Sequence, residues 1–522
     1  MKKIFVNTYI LFLLAVSFSA CKKTIDKDYL NPELSTKPVL SSFFTEMLNS
    51  DRVRPAYWNL RTFFFPQISV YAQTTSFDNG GQAYQPNDGY IGQYWSDFYY
   101  PAGNGSGPMA TYRAMQTAFA ALSPADQQAQ KVYLEAAKIV LDERAAKLVD
   151  MWGDIPFSQA GSLETTSTIK NPVFDDQKTL YYSFISDLDE AATYFGSVKL
   201  ASNVQSAFNK ADILNSGSLV KWQEYANSAR LRLLMRISNF DEPTAKAAVT
   251  KMLGSPASYP LIDGGNNANY SPANSDVLLQ ALTTTTSSTL YSALTEIDSY
   301  WAPDYKLNTV MLPANDPRIP VMFDKFGNKT YRAMPVTYGV GQQDTAYTKY
   351  SVVDSTTFLN NIKMPGIVIT ASEVNFLKAE AYERWGLGDA QTAYNTALAQ
   401  SVYFYFYLNN IGGGTTSPST SDIATFLTNP KVAYAGSTQQ KLALIYTQKW
   451  LHFGFLQSDE AWAELRRTKY PALTFPKQTL STQYQLPPTR LPYPSIETSY
   501  NTNYSAVKAK DTPTTKVFWD VN

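Results

Sequence analysis

The sequence predicts a mainly α-helical protein in which helical hairpins form the scaffold, long loops are inserted between them, and the strands are few and short. Three observations carry that prediction. Residues 372–401 hold two apolar stripes at helical spacing, joined by Gly386-Leu387-Gly388-Asp389. The same 3.6-residue periodicity recurs over 125–151, 180–191, 219–238 and 444–473. Between these stretches lie polar, turn-rich segments, 73–90, 259–365 and 412–421, too long to be simple connections.

In 372–401, Val374, Leu377, Ala381 and Trp385 line one face, and Ala390, Ala393, Tyr394, Ala397 and Leu398 line the next. Glycine tolerates the left-handed conformation that ends a helix, and Asp389 is placed to cap the following one. Small alanines at the contact allow close approach. The pair resembles a tetratricopeptide hairpin, although one clear copy leaves a repeat period untestable.

From the N-terminal side, helical patterns start at 39–48 and 56–72, the second interrupted by Pro66, which is expected to kink or break it. Residues 73–90 read as loop, with turn signals at Asn79-Gly80-Gly81 and Pro86-Asn87-Asp88-Gly89. The long helix over 125–151 ends in Trp152-Gly153-Asp154-Ile155-Pro156-Phe157, where Gly153 stops the helix and Pro156 forbids its resumption. In 219–238, Trp222, Ala226, Ala229, Leu233 and Ile237 form the apolar stripe. Arg230, Arg232 and Arg236 are read as bridges to carboxylates on neighbouring helices rather than as an anion site. Asp263, Asn267 and Asn269 have a faint calcium-loop spacing without the full pattern or its terminal Glu, so a polar loop is expected there and no metal is assigned. Pro492 and Pro494 make 487–504 an extended strap laid across helices.

Composition excludes more than it suggests. Lys plus Arg equals Asp plus Glu at 44 each, so nothing in the composition points to the clustered positive charge of a nucleic-acid footprint. One Cys, Cys21, and one His, His452, rule out an internal disulfide and a Cys/His zinc cluster. A histidine-dependent triad would have to use His452, which lies in the apolar run KWLHFGFL and reads as packed. Tyrosine is abundant, 36 against 28 Phe and 9 Trp, which suits half-exposed aromatic surface. A glycoside hydrolase needs only two carboxylates, but no pair stands out.

Residues 1–20 read as a secretion signal: Lys2 and Lys3, then an apolar stretch from Ile10 to Phe18 too short to span a bilayer permanently. Phe18-Ser19-Ala20-Cys21 resembles a bacterial lipobox, which implies cleavage before Cys21 and acylation, by chains such as palmitate, of its thiol and new amino end. Residues 21–36 then form a tether, and 37–522 the folded domain.

Further blocks carry a family resemblance. The helix end with Asp150 and Trp152-Gly153-Asp154-Ile155-Pro156-Phe157, the run LVKWQEYANSARLRLLMRIS at 219–238, Asp316-Pro317-Arg318, the block LIYTQKWLHFGFLQSDEAWAELRRTKYPAL at 444–473 and the ending PPTRLPYPSIETSYNTNY at 487–504 occur in the order found in SusD/RagB-type nutrient-binding lipoproteins. The chain is similar to that family from about residue 36 to 510. The resemblance implies a tetratricopeptide-like scaffold, attachment to the outer membrane at the cell surface through lipid, and partnership with a SusC-type TonB-dependent transporter. It implies capture of oligosaccharide, or in some members peptide, without catalysis or cofactor. No ligand-contact motif of the starch-binding members aligns here, so no contact residue transfers.

The ligand face is therefore sought among loop aromatics: Phe77, Tyr84 and Tyr90 on the 73–90 loop, and Trp301, Tyr305 and Tyr338 in the 301–347 segment, where Tyr331 and Tyr347 also lie. Trp95, Tyr99, Trp222, Trp450 and Trp462 sit on helical patterns and are assigned to the core.

Overall fold

The computed structural model describes residues 39–521 apart from 78, 103–104, 163–165, 167–170, 266–269, 283–286, 297–299, 328, 340 and 343–348. The signal segment, Cys21, the tether, Asn267, Asn269 and Tyr347 lie outside the described residues. The scaffold helices are α1 (Leu40–Leu48), α2 (Asp88–Tyr99), α3 (Pro108–Ala120), α4 (Pro124–Trp152), α5 (Gln177–Ser197), α6 (Leu219–Ile237), α7 (Glu242–Leu253), α8 (Ala371–Trp385), α9 (Ala390–Ile411), α10 (Thr438–Phe453) and α11 (Ser458–Thr468). Shorter helical segments lie between them, and the strands among the described residues form three two-stranded antiparallel ladders: Pro101–Ala102 with Gly105–Ser106, Val277–Leu279 with Gly366–Ile369, and Phe323–Asp324 with Val352–Val353.

The hairpin of α8 and α9 forms for the reasons read in the sequence. Gly386 ends α8 in the left-handed conformation (φ 67°), and the Asp389 carboxylate accepts the Thr392 N–H at 3.0 Å to start α9. Val374, Leu377 and Ala381 are buried, while the Ser372 hydroxyl donates to the Ala397 carbonyl across the pair at 2.8 Å. The helices α5 and α6 make a second close pair, and α4 packs along α5.

The break expected at Pro66 does not occur: the chain stays helical through the proline by widening its turn. Asn59–Ile68 is a π-helical segment that continues into a short α-helix, Ser69–Ala72. Widening the turn gives the proline ring room, and the Gln67 side-chain amide donates at 3.0 Å to the Thr62 carbonyl, the acceptor a residue at 66 would serve in an α-helix. At the end of α4, Gly153 adopts φ 81° and donates its N–H to Val149 at 2.8 Å. A side chain there would be strained, which fixes glycine at that turn. The tail crosses this helix end as a strap: Leu491 N–H donates to the Met151 carbonyl at 2.8 Å, and the Trp152 indole donates to the Pro492 carbonyl at 2.9 Å. It is not extended throughout, because the chain turns helical at Ser495–Tyr500 beyond Pro494.

Five helices are locked by buried charge. Arg232 of α6 meets Glu373 of α8 at 2.6 and 2.8 Å and Glu143 of α4 at 3.2 Å, while Arg236 donates to Glu460 of α11 at 2.6 Å. Arg467 of α11 pairs bidentately with Glu380 of α8 (2.7 Å for both contacts) and bonds Glu464 at 2.7 Å, which also holds Lys449 of α10 at 2.6 Å. Burial pushes Glu460 up, but Arg232, Lys147 and Arg236 outweigh it and hold its carboxyl at about 2. The arginines of 219–238 are thus helix bridges, Arg230 included, which donates to Asp189 at 2.7 Å.

His452 is packed, with Nε2 2.7 Å from the Thr370 hydroxyl and Nδ1 2.9 Å from Ser401 Oγ. Burial, reinforced by the positive charges of Arg318 and Lys306, pushes it from 6.5 down to about 3. Between those values the unfolded chain binds a proton that the folded chain refuses, so folding stability falls as pH drops from 6.5 toward 3. His452→Asn removes this contribution. Melting temperatures measured across that range are expected to fall less steeply in the variant; parallel curves contradict the assignment.

Candidate functional site

The two segments expected to carry the ligand face come together, with a third joining them. The Asn79 side-chain amide donates to the Tyr338 carbonyl at 3.4 Å, and the Gln478 amide donates to Asn79 Oδ1 at 2.7 Å. Further bonds tie 73–90 to the 474–480 stretch: Gln73 to the Thr474 carbonyl (2.7 Å), Ala83 N–H to Gln478 Oε1 (3.1 Å), and Leu480 N–H to the Gly81 carbonyl (3.0 Å).

That cover changes the standing of several rings. Phe77 and Tyr84 are buried, not displayed: their rings lie 6.0 Å apart, Tyr84 also faces Phe475, and its hydroxyl donates to the Pro476 carbonyl at 3.0 Å. Trp301 is 3 % exposed, held by the Trp301–Val352 bridge and by a stacked contact with Tyr300 at 5.0 Å. Tyr305 is half-buried in a π-helical segment, Tyr305–Met311, edge-on to Trp450 at 6.2 Å, so it belongs to the scaffold side. Tyr90 lies not on the loop but in the first turn of α2, whose N-cap is Asn87; its N–H donates to Asn87 Oδ1 at 3.1 Å. Tyr338 is half-buried. Of the rings assigned to the core, Trp95, Trp222, Trp450 and Trp462 are buried and Tyr99 is half-buried against the core.

Trp301, Met334 and Tyr350 form a small cluster separate from the main core, with Tyr300, Tyr338 and Val352 packed on it. Its framework is backbone: Ala302 N–H donates to Ser351 (2.9 Å), Val353 N–H to Tyr300 (2.7 Å), and Ser351 N–H to Arg332 (2.7 Å). On it the Tyr350 hydroxyl donates to the Tyr338 hydroxyl at 3.4 Å, with the rings nearly perpendicular, and the exposed Arg332 guanidinium lies over the Tyr350 ring at 4.7 Å. The arrangement offers partly exposed ring faces beside phenol, guanidinium and amide groups. Such a mixture holds a neutral polyol: rings take its C–H faces and polar groups its hydroxyls.

A second aromatic surface was not legible. Trp58, 53 % exposed, packs edge-on to Tyr57 at 5.0 Å, and Tyr57 donates to Glu296 at 2.5 Å. Both rings lie at the start of the Pro66-interrupted helical pattern, which gives no hint of exposure.

Neighbouring carboxylates are committed to structure. Asp354 accepts the Thr357 N–H at 2.6 Å as the cap of a π-helical segment, Ser355–Leu359, and Asp324 accepts Ser355 N–H and hydroxyl at 3.0 and 2.5 Å. Asp263, of the faint calcium spacing, pairs with Lys378 at 2.8 Å.

A family model described as "Starch-binding associating with outer membrane", SusD-like, matches residues 32–494. The chain belongs to the SusD-like family. No curated protein matches the sequence. Among solved structures, a chitin-binding protein superposes with a TM-score of 0.72 at 22 % identity, covering 93 % of this chain and 100 % of that one. A SusD homolog from Parabacteroides distasonis gives 0.71 at 20 % identity, with 93 % and 98 % covered. A chitin-binding SusD homolog from Flavobacterium johnsoniae gives 0.68 at 19 %, with 92 % and 99 % covered. At these identities the likeness establishes the SusD-like fold, and the contacts of any ligand have to be argued from this chain's own residues.

Proposed function

We propose that this SusD-like protein captures oligosaccharide at the face built on Trp301, Met334 and Tyr350, and passes it to a SusC-type TonB-dependent transporter without chemically altering it. The observation that carries the reading is the gathering of Tyr300, Arg332, Tyr338 and Tyr350, from three separate stretches, into a partly exposed aromatic cluster apart from the main core, with Asn79 alongside. Tyr338 and Tyr300 supply stacking faces, Arg332 and the Tyr350 hydroxyl the polar contacts. Trp301 acts beneath them as support. The family's description as starch-binding and the chitin-binding names of two structural neighbours support a glycan over a peptide.

Titration calorimetry with chitooligosaccharides and maltooligosaccharides tests the face. Tyr338→Ala is expected to weaken the bound sugar by about 1–3 kcal/mol with an unchanged melting temperature. Trp301→Ala is expected to cost about 3–5 kcal/mol of stability, because it removes a buried ring. Full affinity in folded Tyr338→Ala and Arg332→Ala variants removes this face from consideration, and release of new reducing ends from the bound sugar returns the hydrolase reading.

Anchoring belongs to the same proposal. Acylation of Cys21 holds the protein on the outer membrane, where the residues before about 36 give the domain reach to a transporter. No helix among the described residues is long and apolar enough to cross a membrane. Cys21→Ala is expected to move the protein from the membrane pellet to the soluble fraction; intact mass of wild type showing a bare thiol contradicts the anchor.

A further inference from the structure

A cleft enclosing about 60 Å³ lies between the turn that follows α1, the C-terminal half of α4 and the start of α11. Leu60, Phe64, Ile367 and Leu456 give it apolar walls, with Tyr94 beside them. Four cations line it, Arg52, Arg54, Arg144 and Lys147, against three carboxylates, Asp97, Glu143 and Asp459. The lining charge is therefore one positive unit in excess.

Most of these groups are already engaged. Arg52 forms an ion pair with Asp97 and donates to Asn59 at 3.1 Å. Arg54 donates to Asn49 at 2.7 Å and to the Gln280 carbonyl at 2.8 Å. Lys147 holds Asp459 at 2.9 Å and Glu143 at 3.4 Å, and Glu143 also meets Arg232. Arg54 also pairs with Asp51, outside the lining, at 4.0 Å. The excess charge therefore falls on Arg144, whose guanidinium donates to Ser50 Oγ at 3.1 Å and forms no ion pair among the described residues. The second observation is Gln457. Its side chain is 2 % exposed and lines the same cleft, yet neither its oxygen nor its nitrogen meets a hydrogen-bond partner in the protein. Native interiors pair nearly all buried polar atoms, and a buried amide left unpaired at both ends in the wall of a cleft points to a contact made by something else.

We infer that this cleft is a binding site for a small organic monocarboxylate: Arg144 takes the carboxylate, Gln457 a second polar atom, and the Phe64 side an apolar or aromatic body. A single negative charge balances the lining, and the mixture of apolar walls with a few convergent polar groups is what small-molecule sites present. The inference is independent of the glycan face.

Phenylacetate and its neutral counterpart phenylacetamide are the probes, titrated calorimetrically into the mature protein and into variants checked by melting. Wild type is expected to bind phenylacetate at least about tenfold more tightly than the amide, the scale of one charge-assisted contact. Arg144→Gln is expected to abolish that preference and Arg144→Lys to keep most of it. Gln457→Met is expected to weaken both probes, while Tyr338→Ala leaves both unchanged. Equal binding of acid and amide by wild type, binding of neither, or a preference that survives in folded Arg144→Gln overturns the site. If Arg144→Gln does not fold, the lysine variant decides: loss of the acid preference with charge retained and the fold intact also overturns it.

Discussion

Carboxylates buried between five helices have to be neutralised where they sit, and the rest of the structure depends on that requirement. Glu373 and Glu380 of α8, Glu460 and Glu464 of α11 and Glu143 of α4 face inward, and Arg232, Arg236, Lys449 and Arg467 answer them. Taking these charges out of water is costly, and ion pairing in the interior returns that cost only when geometry is good. The network therefore adds little net stability over an apolar core but penalises any sliding of one helix against another. A shift of one turn would leave Arg467 without Glu380, or Arg232 without Glu373, as an uncompensated buried charge. Register along the helices is set in this way, and the ends of the helices, where the loops leave, are set with it.

The loop region is joined to that frame at one more buried pair. Arg318 binds Asp316 through two nitrogens at 2.9 and 2.6 Å, Ser401 of α9 at 2.7 Å and Gln448 of α10 at 2.8 Å. Ser401 in turn contacts His452 of α10, so the chain leading into the aromatic cluster is pinned to α9 and to α10, one of the helices that carry the ion network. The aromatic cluster is thereby seated on scaffold helices rather than on loops alone.

The helices were legible because their signals are local. Gly386 and Asp389 mark a hairpin through backbone conformation and capping, and Gly153 marks a helix end, all within a few residues. The arginines of α6 were legible as bridges because three guanidinium groups on one packed helix need carboxylates nearby. The rings of the site were less so, because what covers a ring can come from anywhere in the chain. Phe77 and Tyr84 sit in a polar, turn-rich segment, but Tyr84 is covered by the 474–480 stretch, some four hundred residues away, and Phe77 packs on Tyr84. Tyr90 was misplaced for another reason: Asn87 serves both as a turn residue and as a helix cap, and only the structure shows the cap. Of the six proposed rings, Tyr338 is half-exposed on the cluster, Trp301 lies beneath it, and the others support different parts of the fold.

On the proposed reading, sugar engages the Tyr300–Tyr338–Tyr350 face while the scaffold helices stay rigid. Hydrogen–deuterium exchange with and without a bound chitooligosaccharide or maltooligosaccharide addresses it most directly. Added protection is predicted in the stretches around residues 79, 300, 332–338 and 350, with exchange in α4, α6, α8, α10 and α11 slow and unchanged. Protection centred elsewhere, with no change at Tyr338 and Tyr350, or a general slowing across the scaffold helices, would contradict it.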